Sequence, residues 1–213
     1  MPITPFHFGP GLLFKSYATT RMSWTVFALA NILIDIEPIA WLLLSGDPAH
    51  RQWHSYLGAA AVAAISVWPG RRLAEAWLRW WNRQLNVAQA RWLGAQTHIS
   101  LSAAWIGALL GSFSHILLDS FMHADLQPFW PWTAGNSLLN EISVDNLHLL
   151  CIVTGLWGAL RLGLHAWLEL PAGSLGHILR MLGRLIDRVA LGVAVLLVLI
   201  FVANGATATY TTL

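Results

Sequence analysis

The chain has 213 residues, 56% of them hydrophobic and only 10% charged, with a mean hydropathy of +0.57. A soluble domain carries about 25% charged residues, so this composition excludes an ordinary soluble enzyme and indicates an integral membrane protein. Twelve basic residues against ten acidic ones leave a formal net charge of +2, and the single cysteine, Cys151, excludes both an intrachain disulfide and a cysteine-built zinc site.

The expected architecture is all-α: one polytopic membrane domain over residues 1–213, a bundle of about four to five spans with interfacial amphipathic helices. The chain opens without a basic stretch, apolar run and small-residue cleavage site, so no cleavable signal peptide is expected. Residues 2–17 carry two prolines and two glycines within Pro2–Gly11 after the first Pro, and read as a turn leading into a short apolar helix that places His7 before the first long hydrophobic segment.

Trp24–Leu44 is long enough to cross a bilayer, yet it contains Asn31, Asp35, Glu37 and Pro38. Carboxylates inside an apolar segment are costly unless they are paired, bound to a metal or facing water. Pro38 removes a backbone donor and biases Glu37 away from helix, so a break is expected there. The polar connection that follows holds His50, Arg51 and His54, and the four-residue spacing of the two histidines predicts a shared helix face. Residues 55–68 form an Ala-rich apolar segment suited to close helix packing, but short for a span.

Residues 69–96 interleave Arg71, Arg72, Arg79, Arg83 and Arg91 with Trp77, Trp80, Trp81 and Trp92. Arginine mixed with aromatics also binds single-stranded nucleic acid. Flanking apolar segments favour the membrane surface instead, so lipid is the expected partner and nucleic acid is not. The positive-inside rule assigns this segment to the cytoplasm. Residues 99–118 form the next span, with Gly107 and Gly111 for close packing, and it ends in Ser114-His115-Ile116-Leu117-Leu118-Asp119. At about 100° per residue His115, Asp119 and His123 share one stripe. That stripe and the His50/His54 connection then lie on the same, non-cytoplasmic face.

Residues 124–143 carry Pro128-Phe129-Trp130-Pro131-Trp132, an expected interfacial cover, and lead to a span over 144–167 that begins near Asp145 and His148. Asp145 is the expected cap of that helix. Residues 169–188 form a second basic interfacial segment, and 189–203 a C-terminal span.

Nitrogen and oxygen donors therefore converge: His7, Asp35, His50, His54, His115, Asp119 and His123 as candidate metal ligands, with Glu37 or Asp125 as general base and Arg51 to steady an anionic oxygen. Imidazoles with carboxylates suit zinc, or manganese or iron in a more oxygen-rich shell. The set exceeds one tetrahedral shell, so some members are outer partners or ligands of a second ion. Carboxylates that bridge two ions are the usual basis of phosphoester hydrolysis, with a metal-activated water as nucleophile. No Gly-x-Ser-x-Gly elbow, P-loop or His-Glu-x-x-His motif is present, which argues against serine hydrolases, nucleotidases and zincin proteases.

His7, Asp35-Ile36-Glu37-Pro38, His50-Arg51-Gln52-Trp53-His54-Ser55 and the Ser114–Asp119 block resemble, in order and along roughly residues 5–131, the YdjM-like family of inner-membrane proteins assigned as metal-dependent hydrolases. That family is thought to be distantly related to zinc phospholipases C and single-strand nucleases. Glu37-Pro38 stands where the family often has Asp-His, and the His50–His54 spacing is one residue shorter than the family's. The resemblance implies hydrolysis of a phosphoester or lipid-like substrate and a bacterial inner-membrane location. Two other classes fit the same residues: a metal- or proton-coupled transporter, since intramembrane His and Asp also mark ion pathways, and a non-catalytic membrane scaffold. The scaffold leaves the cost of Asp35 and Glu37 unexplained, and a transporter would more naturally show an inverted repeat, which the sequence lacks.

Overall fold

The computed structural model describes residues 4–44, 50 and 52–168, and among them all regular structure is helical. A single 3₁₀ turn, Thr4–His7, leads into α1 (Phe8–Tyr17). It is followed by α2 (Trp24–Leu44), a short 3₁₀ turn at Gln52–His54, α3 (Tyr56–Ile65), α4 (Arg71–Gln84), α5 (Val87–Leu93), α6 (Leu101–Ser120) and α7 (Val144–Leu168). Three helices are long and apolar enough to cross a membrane: Trp24–Leu44, Leu101–Ser120 and Val144–His165. The expected total of four to five spans is thus reached only in part. The proposed C-terminal span at 189–203, the basic segment at 169–188 and Arg51 lie outside the described residues.

Local sequence explains the helix starts. Ser100 and Ser55 sit in extended backbone, and their hydroxyls accept from the amides of Ala103 and Gly58, which satisfies one orphan donor at each N-terminus. At α7 the cap is Ser143, whose Oγ accepts from the Asn146 amide at 3.3 Å, and not Asp145, which lies exposed in the first turn. Its charge there still complements the helix dipole. α2 does not break at Pro38: the helix runs through it to Leu44, with the proline ring buried. Spanning helices tolerate this because neighbouring groups re-satisfy the freed backbone. Here Glu37, just before the proline, is itself tied to the turn that precedes α3. The helical path beyond α3 likewise continues through Pro69. A π turn over Ser66–Gly70 absorbs Pro69 and carries the chain from α3 into α4 without a loop.

Hydrophobicity does not drive helix pairing within lipid, so packing rests on small residues that let backbones approach. A Cβ on Gly107 would stand 2.4 Å from the Ser23 carbonyl oxygen, and one on Gly111 would stand 2.6 Å from that of Phe27. These contacts place α2 and α6 side by side and parallel, so Ser23 meets Ala103 at one end and Asp35 meets Asp119 at the other. α1 and α7 make a second pair, in which Gly9 abuts the Cys151 carbonyl and Gly158 abuts Leu12 and Leu13. Arg161 ties this pair further by donating to the Ser16 carbonyl and lying over the Tyr17 ring. α3 packs on α6 and runs opposite to it.

The bundle therefore has two unlike ends. At one, Ala74 and Leu78 of α4 close over Val26, Val67 and Ala103. The other face of α4 leaves Leu73, Trp77 and Trp80 exposed beside Arg72, Arg79 and Arg83. An apolar stripe flanked by arginines on a helix already packed along its inner side is the pattern of an interfacial helix. At the other end Ile34, Ala59, Ile116 and Leu126 form a separate core beneath the imidazoles. With a rise of about 1.5 Å per residue, His115 lies roughly 18 Å along α6 from Ala103.

Gly107→Ala should force α2 and α6 apart and lower the thermal stability of the detergent-solubilised protein by about 1–3 kcal/mol, the usual cost of overpacking. Gly163→Ala, where nothing lies within 4 Å of the added carbon, should be neutral or slightly stabilising in the same melt.

Candidate metal centre

Three segments meet at the second end of the bundle. α2 brings Asp35, the turn before α3 brings His54, and the last turns of α6 bring His115 and Asp119. One ligand atom from each lies within 4.8 Å of all the others. His115 Nε2 is 3.1 Å from Asp35 Oδ1 and 3.2 Å from Asp119 Oδ2, while His54 Nε2 is 3.9 Å and 3.6 Å from the same two atoms. Metal–ligand bonds of about 2.0–2.1 Å in a tetrahedral shell separate the ligand atoms by about 3.3 Å, so these spacings are those of a coordination sphere. This His/Asp cluster can hold a metal ion.

The tautomers point the same way. Asn31 Nδ2 donates to the Phe27 carbonyl at 2.9 Å, which turns Asn31 Oδ1 towards His115 Nδ1 at 3.1 Å. An acceptor there keeps the proton on Nδ1 and leaves the Nε2 lone pair facing the cluster. Glu37 does the same for His54: its Oε2 accepts from the Trp53 and His54 amides at 2.9 and 3.2 Å and lies 3.4 Å from His54 Nδ1. Both Nε2 atoms are fully buried and have no hydrogen-bond partner among the described residues, although carboxylate oxygens stand close by. Two buried lone pairs facing two carboxylates repel one another unless a positive charge sits between them.

A second layer wraps this core. His7 Nε2 is 3.0 Å from Asp119 Oδ1, and the His7 ring stacks on that of His115 with centroids 4.1 Å apart. His123 lies just beyond α6, held near by its amide, which donates to the Asp119 carbonyl at 3.0 Å, and its Nε2 is 3.8 Å from Asp119 Oδ1. His50 pairs with Asp125 twice over: its Nδ1 is 3.0 Å from Oδ1, and its amide donates to Oδ2 at 3.1 Å. The His50 ring packs 4.7 Å from that of His54 and 4.2 Å from that of His123. Burial pushes the His123 imidazole below its ordinary pKa, with Asp119 acting against the shift. Burial alone would raise Asp125, but the bonds from His50 hold its carboxyl below the usual value.

Every candidate ligand within the described residues thus reaches one end of the bundle. His50 does so from outside any regular element and His54 from a single 3₁₀ turn, not through the shared helix face that their spacing predicts. Glu37 lies behind His54 with three N–H groups directed at one of its oxygens, and Asp125 lies against His50. His148 packs against Phe6, and neither it nor Asp145 joins the cluster. Asn31 is the residue that sequence reasoning passed over as a ligand-orienting group. Its signal was present: a polar amide exactly one turn before Asp35 within an otherwise apolar run.

The loop after α6 is pinned over this end. Tyr56 donates its amide to the Pro128 carbonyl at 2.8 Å, and Asn136 Nδ2 reaches the carbonyls of Ser120 and His123 at 2.7 and 3.2 Å. Phe129 and Trp132 remain exposed on it and line a cavity of about 730 Å³ with residues 133–137. Asp35 is the accessible edge of the four-residue cluster, its side chain 19% exposed where those of His54 and His115 are closed off entirely.

Asn31→Ala and Glu37→Gln should each weaken zinc binding by about 10–100-fold while leaving the fold intact, as expected for groups that orient a ligating imidazole. Competition with a chromophoric chelator measures this directly. Comparisons with protein families, with curated proteins and with solved structures find no match for this chain, so the resemblance to the YdjM-like family rests on the residues quoted for it.

Proposed function

We propose that this chain is a membrane-embedded, metal-dependent hydrolase acting on a phosphoester, favoured in a lipid-linked substrate. Zinc is the favoured ion, with manganese or iron as alternatives. The observation that carries the reading is the pair of buried, unpartnered Nε2 atoms of His54 and His115 facing Asp35 and Asp119. A divalent cation, when bound, supplies Lewis acidity to a water and to a phosphoryl oxygen. The chain's own residues do the remainder. Asn31 and Glu37 engage the Nδ1 atoms of the two imidazoles and so aim their Nε2 atoms at the cluster. Glu37 is a positioning residue in this reading, because its Oε2 already serves His54 and two amides. The two-nitrogen, two-oxygen donor set leaves coordination room in a five- or six-coordinate ion. Access by way of the Asp35 edge supplies the route for water and substrate.

Lipid-linked substrates are favoured by the surroundings. The donors sit at the ends of apolar helices, and Trp53, Phe129 and Trp132 present exposed rings on the segments that carry or cover them. Such rings occupy the headgroup level of a bilayer, where a phosphate attached to an acyl or prenyl chain would also lie. The arginine-rich α4 at the opposite end argues, by the positive-inside rule, for a cytoplasmic α4 and a non-cytoplasmic site in a bacterial inner membrane.

Purified protein should contain metal. His115→Ala and Asp119→Ala should lose that metal and reduce hydrolysis of bis(p-nitrophenyl) phosphate, or of phospholipid in mixed micelles, by more than about 10²-fold. Metal-free protein with unaltered behaviour in both variants would overturn the proposal. Metal-dependent ion flux in proteoliposomes with no turnover of either substrate would replace it with transport.

A further inference from the structure

Beyond the four-residue cluster, three donors are gathered without an assigned task. His50, on the connection before α3, meets His123 and Asp125, on the loop after α6, and one ligand atom from each lies within 4.8 Å of the other two. His50 is buried and the other two are partly exposed. Asp119 links it to the first cluster. Its Oδ2 faces His54 and His115, while its Oδ1 faces the other way, 3.8 Å from His123 Nε2 and 3.0 Å from His7 Nε2.

We propose that His50, His123 and Asp125 hold a second divalent cation, and that Asp119 bridges it to the first through its two oxygens. This rests on the reading of Asp35, His54, His115 and Asp119 as the first site, and it makes the centre dinuclear. Three features support it. A carboxylate that presents one oxygen to each of two sets of imidazoles has the arrangement of a bridging ligand. The 3.0 Å between His50 Nδ1 and Asp125 Oδ1 equals the edge of an octahedron with bonds of about 2.1 Å. His123 and Asp125 are also partly exposed, so a second ion there would be within reach of phosphoester oxygens. Two-metal sites that clamp both the attacking and the leaving oxygen are built in this way. Asp125 is then a ligand and not a general base, and the substrate class narrows to phosphodiesters and phosphomonoesters, whose anionic oxygens two cations neutralise together.

Titrating the metal-free, detergent-solubilised protein with zinc against a chelator tests this. Wild type should take up two ions per chain. The double variant His123→Ala/Asp125→Asn should take up one, and that remaining ion reports that the first site is still folded. Wild type loaded with two equivalents of manganese should give the spin-coupled resonance of an ion pair, a readout that needs no variant. Uptake of a single ion by wild type, retention of two by the double variant, or the resonance of isolated manganese would each overturn the second site. If that single ion disappears with His115→Ala, the mononuclear reading stands while this one falls. If wild type takes up no ion, both fall.

Discussion

The arrangement of this end of the bundle depends on one electrostatic constraint. The Nε2 atoms of two buried imidazoles stand against two carboxylates at ion-pair distance, above a core of Ile34, Ala59, Ile116 and Leu126. Burial strengthens every charge interaction among these groups, and the second ring nitrogen of each imidazole is already engaged. The surrounding structure shows how much is invested in keeping these groups in place. Glu37 clamps the turn that carries His54, Asn31 fixes His115, and His7 stacks on His115 while reaching Asp119. A site that could relax would be expected to turn the rings and satisfy each nitrogen separately.

Helix packing and site geometry are the same problem in this molecule. Gly107 and Gly111 let α6 lie against the backbone of α2, and a Cβ on Gly111 would also stand 3.1 Å from Asn31 Nδ2. The glycine that sets the helix separation is therefore the one that makes room for the amide orienting His115. Asp35 and Asp119 meet because the two helices are parallel and matched in register from Ser23 and Ala103 onward, through Phe27 and Gly111 and Asn31 and His115. α3, running the other way, delivers His54 at its start and the arginine-bearing α4 beyond its end, which is why the two polar ends of the bundle are so unlike.

Much of this was legible in the sequence. The helical stripe that contains His115 and Asp119, and the arginine and tryptophan pattern of 69–96, are periodic signals, and periodicity survives folding. The cost of Asp35 and Glu37 in an apolar segment drew attention to α2, which carries Asp35 into the cluster. Local rules did less well at the prolines. Pro38 reads as a break, yet α2 continues through it, and at Pro69 a π turn carries the chain from α3 into α4. Intrinsic proline effects are modest beside the gain from continuous packing and intrachain hydrogen bonding in an apolar medium. The roles of Asn31 and Glu37 were hidden for another reason: which nitrogen of a histidine is engaged depends on partners dozens of residues away, and spacing carries no information about that.

The ligands of the first cluster are spread from residue 35 to residue 119, with α3, α4 and α5 made between them. Because α2 and α6 must already be side by side before Asp35 and Asp119 can share an ion, no partly synthesised chain ending before α6 has a complete shell. Any ion held there therefore waits for α6 to dock against α2, and a chain in which that helix has failed to dock offers no complete shell.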